Sequence, residues 1–190
     1  MKLTTVEINR KLIHISSAAI PLVYWFWIPK QWMVYGLIVI NLVFFLIEYE
    51  RLRDSQVGRW LGWLFKPAIR EQEKRRVTGA AFVFLGNLIT IAWFPITIAV
   101  PVLLILSISD AFAALVGIPL GRHRLGSKSV EGSMAFFVVS VVVLLFFPTI
   151  PWTAKLMGAA VGTLVEVFVN FVDDNIAIPV AVALAMSIFI

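Results

Sequence analysis

The amino-acid sequence predicts an all-α, polytopic membrane protein with about seven transmembrane helices and one interfacial helix. Three observations support this prediction: 61% of the 190 residues are hydrophobic, the mean hydropathy is +0.94, and long apolar stretches recur along the whole chain. A helix needs roughly 20 mostly apolar residues to cross a bilayer, and a soluble domain of ordinary composition does not contain so many. We therefore interpret residues 1–190 as a single integral-membrane domain.

Charged residues and prolines separate the apolar stretches and set the limits of the predicted spans. The spans cover residues 11–29, 33–50, 77–94, 96–120, 132–148, 152–170 and 176–190. The first stretch is long for the apolar region of a signal peptide and lacks a small-residue cleavage site after it, so we expect it to remain as a span. The chain has no cysteine, which excludes disulfides and thiolate chemistry.

Residues 54–76, between the second and third predicted spans, carry too many charges to cross the bilayer. The segment nevertheless has an apolar side, formed by Trp60, Leu61, Trp63, Leu64 and Phe65. This pattern predicts an interfacial segment. Two roles remain open: an anchor that links two spans, or a gate for a lipid substrate that enters sideways.

The distribution of cations predicts the orientation, because short loops rich in Lys and Arg stay in the cytoplasm. Seven spans put the N-terminus and residues 48–76, 121–131 and 170–175 on one side. Of sixteen Lys and Arg residues, only Lys30 and Lys155 fall on the other side. Topology and attraction to anionic lipid headgroups explain the net charge of +5, so we expect no nucleic-acid partner.

Polar and small residues inside the spans recur at helical spacing and form four stripes. The stripes consist of Arg10, His14 and Ser17; of Asn41, Phe45 and Glu48; of Asp110, Ala114, Gly117 and Gly121; and of Gly158, Gly162, Glu166 and Asn170, which lead into Asp173, Asp174 and Asn175. A charge at mid-bilayer costs about 3 kcal/mol, and small residues at this spacing let helices approach closely. We therefore expect the stripes to converge on one polar interior near the cytoplasmic end.

The carboxylates of these stripes differ in how strongly they indicate a functional role. Glu48 lies near enough to the headgroups to pair with Arg51 or Arg53. Asp110 and Glu166 are expected deeper in the bilayer, where a charge needs a partner or a function. We therefore favour a functional role for these two.

Residues 121–131 form a Gly-rich basic loop before the fifth span. The Gly121–Lys128 stretch is close to a Walker A motif, but Ser127 is one residue too many and a membrane helix precedes it where the motif requires a strand. A P-loop fold is therefore excluded. Glycines, cations, a hydroxyl and a following helix N-terminus still suit a phosphate group. The cations by themselves are equally explained as anchors on the cytoplasmic side: Arg122, Arg124 and Lys128.

Five motifs stand out along the chain: R-K-x-x-H from Arg10, Glu71 followed by Thr78-Gly79-Ala80, S-D-x-x-A-x-x-x-G-x-x-x-G from Ser109, K-S-x-E-G-S from Lys128, and Asp173-Asp174-Asn175 with Pro179. Taken together, they resemble those of the dolichol kinase, phytol kinase and CTP-dependent diacylglycerol kinase family and, more remotely, those of the phosphatidate cytidylyltransferases. The first, second and fifth motifs favour the kinase branch of this resemblance. The resemblance covers nearly the whole chain in the same order. Two departures leave the substrate open: Ser109 has the cytidylyltransferase form, and Ala18 or Ala19 stands where many relatives have glycine.

The resemblance implies transfer of the γ-phosphoryl group of CTP to a polyprenol, a phytol-type isoprenoid alcohol or diacylglycerol, with Mg²⁺ as cofactor. It implies that Asp110, with Asp173 or Asp174, holds the metal. The residues expected at the nucleotide are Arg122, Arg124, Lys128, Ser129, Glu131 and Asn175. Glu131 is expected to orient Lys128 or to join the metal shell. Asp174 or Glu166 is the favoured base for the lipid hydroxyl, followed by His14, which taken alone is also explained as a packed histidine.

Two other functions remain open at this point. A cytidylyltransferase that releases pyrophosphate would use much the same loop, and the Ser109-Asp110 pair keeps this alternative open. A transporter or channel would explain the intramembrane carboxylates but not the basic loop followed by Glu131. The sequence also leaves the oligomeric state open, a homo-oligomer included.

Overall fold

The computed structural model describes residues 4–53, 55–65, 69, 73, 75–126, 128–169 and 171–190, most of them helical. The helices are α1 (Thr5–Ser16), α2 (Ala19–Phe26), α3 (Lys30–Leu52), α4 (Gln56–Phe65), α5 (Gly79–Trp93), α6 (Ile96–Leu104), α7 (Asp110–Leu120), α8 (Val130–Leu145), α9 (Trp152–Phe168) and α10 (Asp174–Ser187). A π-helical turn, Ile105–Ser109, joins α6 to α7. Two short strands, β1 (Arg124–Leu125) and β2 (Lys128–Ser129), form a hairpin between α7 and α8. The predicted all-α class is confirmed.

Each predicted span corresponds to one or more helices, but the helices differ in their capacity to cross a membrane. Among the described residues, two helical runs, Lys30–Leu52 and Ile96–Leu120, are long and apolar enough to do so. Helices α5, α8 and α10 are apolar but shorter. The number of seven transmembrane helices therefore stays a prediction.

The first predicted span is divided in the structure. Its helix breaks between α1 and α2 at Ser17 and Ala18. The Ser17 hydroxyl donates to the His14 carbonyl oxygen (2.6 Å) and also bonds the Ser107 hydroxyl (2.9 Å) in the π-helical turn. These bonds attach the break to the turn that directly precedes Asp110.

The core lies along α6 and the π-helical turn. Val102, Leu103, Ile105 and Leu106 are fully buried. The surrounding helices pack pairwise in the order α7, α8, α9, α10, α5 and α3. Helix α1 packs against α7 and the π-helical turn. Large apolar side chains remain exposed on the outside, among them Trp32, Leu46, Trp93, Phe146 and Trp152. Such a surface suits an apolar environment.

Small residues bring the helices together, as their spacing predicts. A Cβ atom on Gly117 would lie 3.1 Å from the Cα atom of Gly132, so α7 and α8 touch along their backbones. A Cβ atom on Gly86 would overlap the Asn175 carbonyl oxygen, so α5 and α10 are equally close. Because of these close contacts, the beginning of α8 lies against α7 and the beginning of α10 lies against α5.

The second stripe is an exception to the expected convergence. The Asn41 amide donates to the carbonyl oxygen of Phe84 (3.1 Å), and the Glu48 carboxylate accepts from the Thr78 hydroxyl (2.9 Å) and from Arg51 (2.6 Å). The expected pairing of Glu48 with an arginine is therefore confirmed. This stripe fastens α3 to the beginning of α5 and does not reach the polar interior.

The predicted interfacial segment is described in part. Helix α4 covers its first half, and the side chains of Trp60 and Trp63 are 60% and 70% exposed. Most of residues 66–74, Glu71 of the resemblance included, lie outside the described residues. The role of this segment as anchor or gate stays open.

Candidate functional site

A cavity of about 570 Å³ lies between α1, α7, the hairpin, the beginning of α8, the end of α9 and the beginning of α10. The lining includes the apolar residues Ala113, Ala114, Ile118, Val169 and Val172. It also carries both signs of charge. Its ionisable residues are Glu7, Arg10, Lys11, His14, Glu73, Asp110, Arg124, Lys128, Glu166, Asp173 and Asp174.

The hairpin carries Lys128 into this cavity. Arg124 pairs with Ser129 and Leu125 with Lys128, and Gly126 takes a positive φ of 60° in the turn, which is a conformation that glycine adopts without strain. The Ser129 hydroxyl caps α8 by accepting from the Gly132 backbone N–H (3.2 Å). The first turn of α8 therefore borders the cavity directly after Lys128.

Lys128 lies between two carboxylates. Its Nζ atom is 2.7 Å from Glu166 Oε1 and 3.1 Å from Asp174 Oδ2. Burial by itself lowers the pKa of Lys128, but the charges of Asp174 and Glu166 outweigh it and raise that pKa above its ordinary value. The side chain is thus a firmly held cation at the centre of the site.

Asp110 is paired with a second lysine. Lys11 Nζ donates to Asp110 Oδ2 (2.6 Å), and both residues are buried. His14 lies one turn further along α1, with Nδ1 3.5 Å from the same oxygen. The first and third stripes therefore do meet, and a cation neutralises the Asp110 carboxylate.

The Asp173-Asp174-Asn175 turn forms the beginning of α10. Asp173 Oδ1 caps the helix by accepting from the Asn175 backbone N–H (3.0 Å) and from its side-chain amide (2.7 Å). Burial raises the pKa of Asp173 and that of Asp174, although Lys128 opposes the effect at Asp174. Asp173 is thus engaged in a helix cap, whereas Asp174 faces Lys128.

The donor set of the cavity suits a hard cation only in combination with other ligands. Among the described residues, no three His, Asp or Glu side chains lie close enough to hold a metal ion by themselves. Glu166 Oε2 is buried without a hydrogen-bond partner. Mg²⁺ is commonly held by one or two carboxylates, with water and phosphate oxygens completing its shell. The oxygen donors present fit that mode of binding.

Two residues expected at the nucleotide do not line the cavity. Glu131 binds His123 instead: its Oε1 atom is 2.9 Å from the imidazole Nδ1 and 3.2 Å from the backbone nitrogen of the same residue. The hydrogen bond from its own backbone N–H, followed by the one to the His123 side chain, holds the pKa of Glu131 down at about 2. The structure places this carboxylate where it fastens the base of the hairpin, away from Lys128. Arg122 precedes the hairpin and likewise lies outside the cavity lining.

Sequence reasoning gave no function to Lys11 and Glu73. Lys11 precedes His14 by three positions, so the helical period already put it on the same face of α1. Glu73 lines the cavity, lies 3.5 Å from Arg10 and accepts from the Gly79 backbone N–H (3.1 Å). No periodic pattern precedes Glu73, so the sequence carried no signal for its position. Asn170 of the fourth stripe lies outside the described residues.

The fold and the cavity define a class: helical proteins with apolar exteriors and a polar cavity of mixed charge built from helix ends. Comparison with known proteins narrows this class. The chain is 30% identical to an uncharacterized protein of Rickettsia prowazekii in an alignment over 193 residues that covers 96% of this chain and 94% of that protein. It is 31% identical to CTP-dependent diacylglycerol kinase 1 of Schizosaccharomyces pombe over 155 residues, which span 71% of this chain and 67% of the kinase.

The chain therefore belongs to the family of this CTP-dependent diacylglycerol kinase. The relationship indicates a kinase, and together with the two long apolar helices it indicates a membrane protein. No family model matches the chain, and no solved structure gives a significant match.

Proposed function

We propose that this protein is a lipid kinase that transfers the γ-phosphoryl group of CTP to the hydroxyl group of a membrane lipid alcohol, with release of CDP. The acceptor is a polyprenol, a phytol-type isoprenoid alcohol or diacylglycerol. The observation that carries the proposal is the cavity itself, whose lining combines lysines and carboxylates with apolar residues. A triphosphate and a lipid alcohol need these two kinds of surface side by side.

The charged lining residues supply what phosphoryl transfer requires. The transition state spreads negative charge over several oxygens, so catalysis consists mainly of positioning and electrostatic stabilisation. Lys128 and Arg124, both on the hairpin, and Lys11 from α1 are cations that line the cavity. In the proposed complex Lys128 exchanges a carboxylate for phosphate oxygens, and the backbone N–H groups at the beginning of α8 add partial positive charge.

Asp110 and Asp174 are the residues proposed to hold Mg²⁺. When bound, the ion would supply positive charge that neutralises the phosphate oxygens. The residues support this assignment because each presents a carboxylate to the same cavity. Asp173 is the weaker candidate, since Oδ1 already caps α10.

The apolar lining residues support a lipid acceptor. Val169 and Val172 follow α9 and Ile118 lies near the end of α7, and all three line the cavity. Leu120, two residues after Ile118, and Phe171, next to Val172, have exposed side chains. An acyl or isoprenoid chain would remain in the bilayer while its hydroxyl group enters the cavity. We propose that the cavity opens on the cytoplasmic side, where CTP is available.

The nucleotide product of the reaction tests this function. Purified protein is incubated with labelled CTP, Mg²⁺ and, separately, diacylglycerol, phytol, a polyprenol and phosphatidate. We expect CDP to form only when a lipid alcohol is present. Pyrophosphate formed with phosphatidate would identify a cytidylyltransferase instead. No lipid-dependent consumption of CTP by folded protein would overturn the proposal.

A further inference from the structure

Five of the seven tryptophans gather at three turns of the chain. The turns join α2 to α3, α5 to α6 and α8 to α9, and the tryptophans on or beside them are Trp25, Trp27, Trp32, Trp93 and Trp152. Their side chains are exposed, from 38% at Trp25 to 74% at Trp93. None of the five lines the cavity, so the proposed reaction gives them no role.

Side-chain contacts bring the three turns to the same end of the molecule. Lys30 Nζ, at the beginning of α3, donates to the Phe94 carbonyl oxygen after α5 (3.2 Å). The Trp25 ring meets the Phe147 ring edge to face, with 5.6 Å between the centroids, and so joins the first turn to the third. Helix α8 begins at the cavity and ends at the third turn, and α9 runs back, so this end is remote from the cavity. We call the five tryptophans, Lys30 and Lys155 the tryptophan surface.

The tryptophan surface carries cations without carboxylates. Residues 8–47, 74–109 and 132–165, which contain the three turns, include no Asp or Glu. Lys155, in the first turn of α9, is only 4% exposed. Its Nζ atom lies over the Trp152 ring, 5.1 Å from the centroid, and no described carboxylate forms an ion pair with it. The dipole of α9 disfavours a cation in this turn, so an anion from outside the chain would stabilise it.

The length of α3 matches the thickness of a bilayer. Twenty residues separate Trp32 from Leu52, which corresponds to about 30 Å of helix. The hydrocarbon core of a bilayer is about as thick. Between Trp32 and Tyr49 the exposed side chains are apolar, apart from the phenol of Tyr35. This face of α3 therefore suits contact with lipid chains over its whole length.

Aromatic side chains also lie at the far end of α3. The Arg53 guanidinium lies over the Tyr49 ring, 5.0 Å from the centroid. A Cβ atom on Gly58 would overlap the Glu50 carbonyl oxygen, so α4 packs closely against this end. Helix α4 carries the exposed Trp60 and Trp63. The apolar face of α3 is thus bordered by aromatic and cationic side chains at both ends, about one hydrocarbon thickness apart.

We infer that the tryptophan surface docks in the phosphate headgroup layer of the leaflet opposite the cavity, with Lys155 bound to a lipid phosphate. Indole suits this layer because its ring is apolar and its N–H donates to water or to headgroup oxygens. The stem of Lys155 stays buried while its ammonium reaches the phosphate along the Trp152 ring. A second copy of the chain would not supply the missing anion, because a symmetric contact would bring the same cations together.

Quenching of tryptophan fluorescence by brominated phospholipids measures the depth of this surface. The reporter is Trp60→Phe/Trp63→Phe in lipid nanodiscs, which keeps only the five tryptophans of the surface. We expect bromines near the headgroup to quench about twofold more strongly than bromines near the chain end. Equal quenching at both depths, or quenching by aqueous iodide alone, would overturn the inference. Protection from both quenchers in a dimer would also overturn it and would assign the surface to a second copy.

Thermal unfolding in a neutral sugar detergent tests the bound phosphate. Phosphatidylglycerol should raise the unfolding midpoint of the native protein, because a ligand of the folded state stabilises it. Relative to its own lipid-free midpoint, Lys155→Gln should lose about half of this rise or more. Lys155→Arg is the matched control and should keep it, since arginine also binds phosphate. Inorganic phosphate should not distinguish these variants, because it is not held in the headgroup layer.

An equal rise in the native protein and in Lys155→Gln would overturn the assignment of Lys155 to a lipid phosphate. A difference between the variants that inorganic phosphate reproduces would assign Lys155 to a soluble anion instead. The fluorescence measurement retains Lys155, so it locates the surface even if Lys155→Gln does not fold. Neither measurement involves CTP, so both decide the docking surface even if the protein proves not to be a kinase.

Discussion

At the scale of single residues, the site is a set of ion pairs whose cations are proposed to exchange partners. Lys128 binds Glu166 and Asp174, and Lys11 binds Asp110. Breaking a buried pair by removing one partner typically costs about 3–5 kcal/mol, whereas a phosphate group that replaces a carboxylate keeps the cation satisfied. In the proposed function, the pairs therefore keep the cations in place for an anionic ligand.

Replacement of Lys128 tests its proposed role at the nucleotide. Lys128→Ala should raise the KM for CTP about 10- to 100-fold, which corresponds to a lost charge-assisted hydrogen bond of roughly 1.5–3 kcal/mol. The KM for the lipid should change little. Lys30→Ala is the control, since Lys30 lies outside the cavity lining and donates to the Phe94 carbonyl oxygen. Equal increases in both KM values would move Lys128 away from the nucleotide.

The sequence indicated some of these residues and not others, for physical reasons. Asp110 and Glu166 stood out because a carboxylate in an apolar stretch requires a partner. The partner of Asp110 is Lys11, 99 positions away, and no local pattern encodes a pairing over that distance. Glu131 follows a basic loop directly, which suggested a role at the phosphates, but a nearer hydrogen-bond donor, His123, binds it.

At the scale of elements, the hairpin and the beginning of α8 depend on how closely α7 approaches. A Cβ atom on Gly117 would lie 2.8 Å from the Ser129 hydroxyl oxygen and 3.1 Å from the Cα atom of Gly132. The second of these atoms is backbone and cannot rotate away. The spacing between α7 and α8 therefore sets the position of Ser129 and, through it, of Lys128.

A pair of matched glycine replacements tests this dependence. Gly117→Ala should lower stability by about 1–3 kcal/mol through overpacking and should reduce activity by displacing the hairpin. Gly36→Ala introduces the same methyl group on α3, where nothing lies within 4 Å, and should be neutral or stabilising by up to about 1 kcal/mol. Thermal unfolding in detergent and initial rates measure both effects. Equal behaviour of the two variants would contradict the close approach.

Helix limits were largely predictable, because charges and prolines interrupt the apolar stretches. Interruptions of a helix that no charge or proline marks were not predictable. The break at Ser17 and the π-helical turn at Ile105–Ser109 contain neither proline nor glycine. Both interruptions are associated with hydrogen bonds between serine hydroxyls of different helices. The Ser17 hydroxyl bonds that of Ser107, and the Ser109 hydroxyl bonds that of Ser140. These contacts depend on the assembled fold, so the local sequence does not reveal them.

At the scale of the whole molecule, polar and apolar surfaces are segregated. The cavity gathers charged residues from α1, α7, α9, α10 and the hairpin at one end, while large apolar side chains cover much of the exterior. Lys30 donates to the carbonyl oxygen of Phe94, the residue that follows α5, and Lys155 lies over the Trp152 ring. This segregation favours the predicted orientation, with the cavity end in the cytoplasm.

Cysteine labelling tests that orientation, and the chain offers a background free of cysteine. Leu125→Cys introduces a thiol at the hairpin, and Thr149→Cys introduces one in the exposed turn before α9. A membrane-impermeant maleimide should label the second variant in intact cells and the first only after permeabilisation. The reverse pattern would contradict the cytoplasmic placement of the cavity.

The central claim is that the cavity around Asp110 and Lys128 transfers the γ-phosphoryl group of CTP to a lipid alcohol. The most direct measurement follows radiolabel into the lipid from CTP labelled at the γ-phosphorus and, in parallel, at the α-phosphorus, with native protein and with Asp110→Asn. The account predicts that only the γ-label enters the lipid and that Asp110→Asn, still folded, lowers the rate about 100-fold or more. Entry of the α-label, or an unchanged rate in Asp110→Asn, would contradict it.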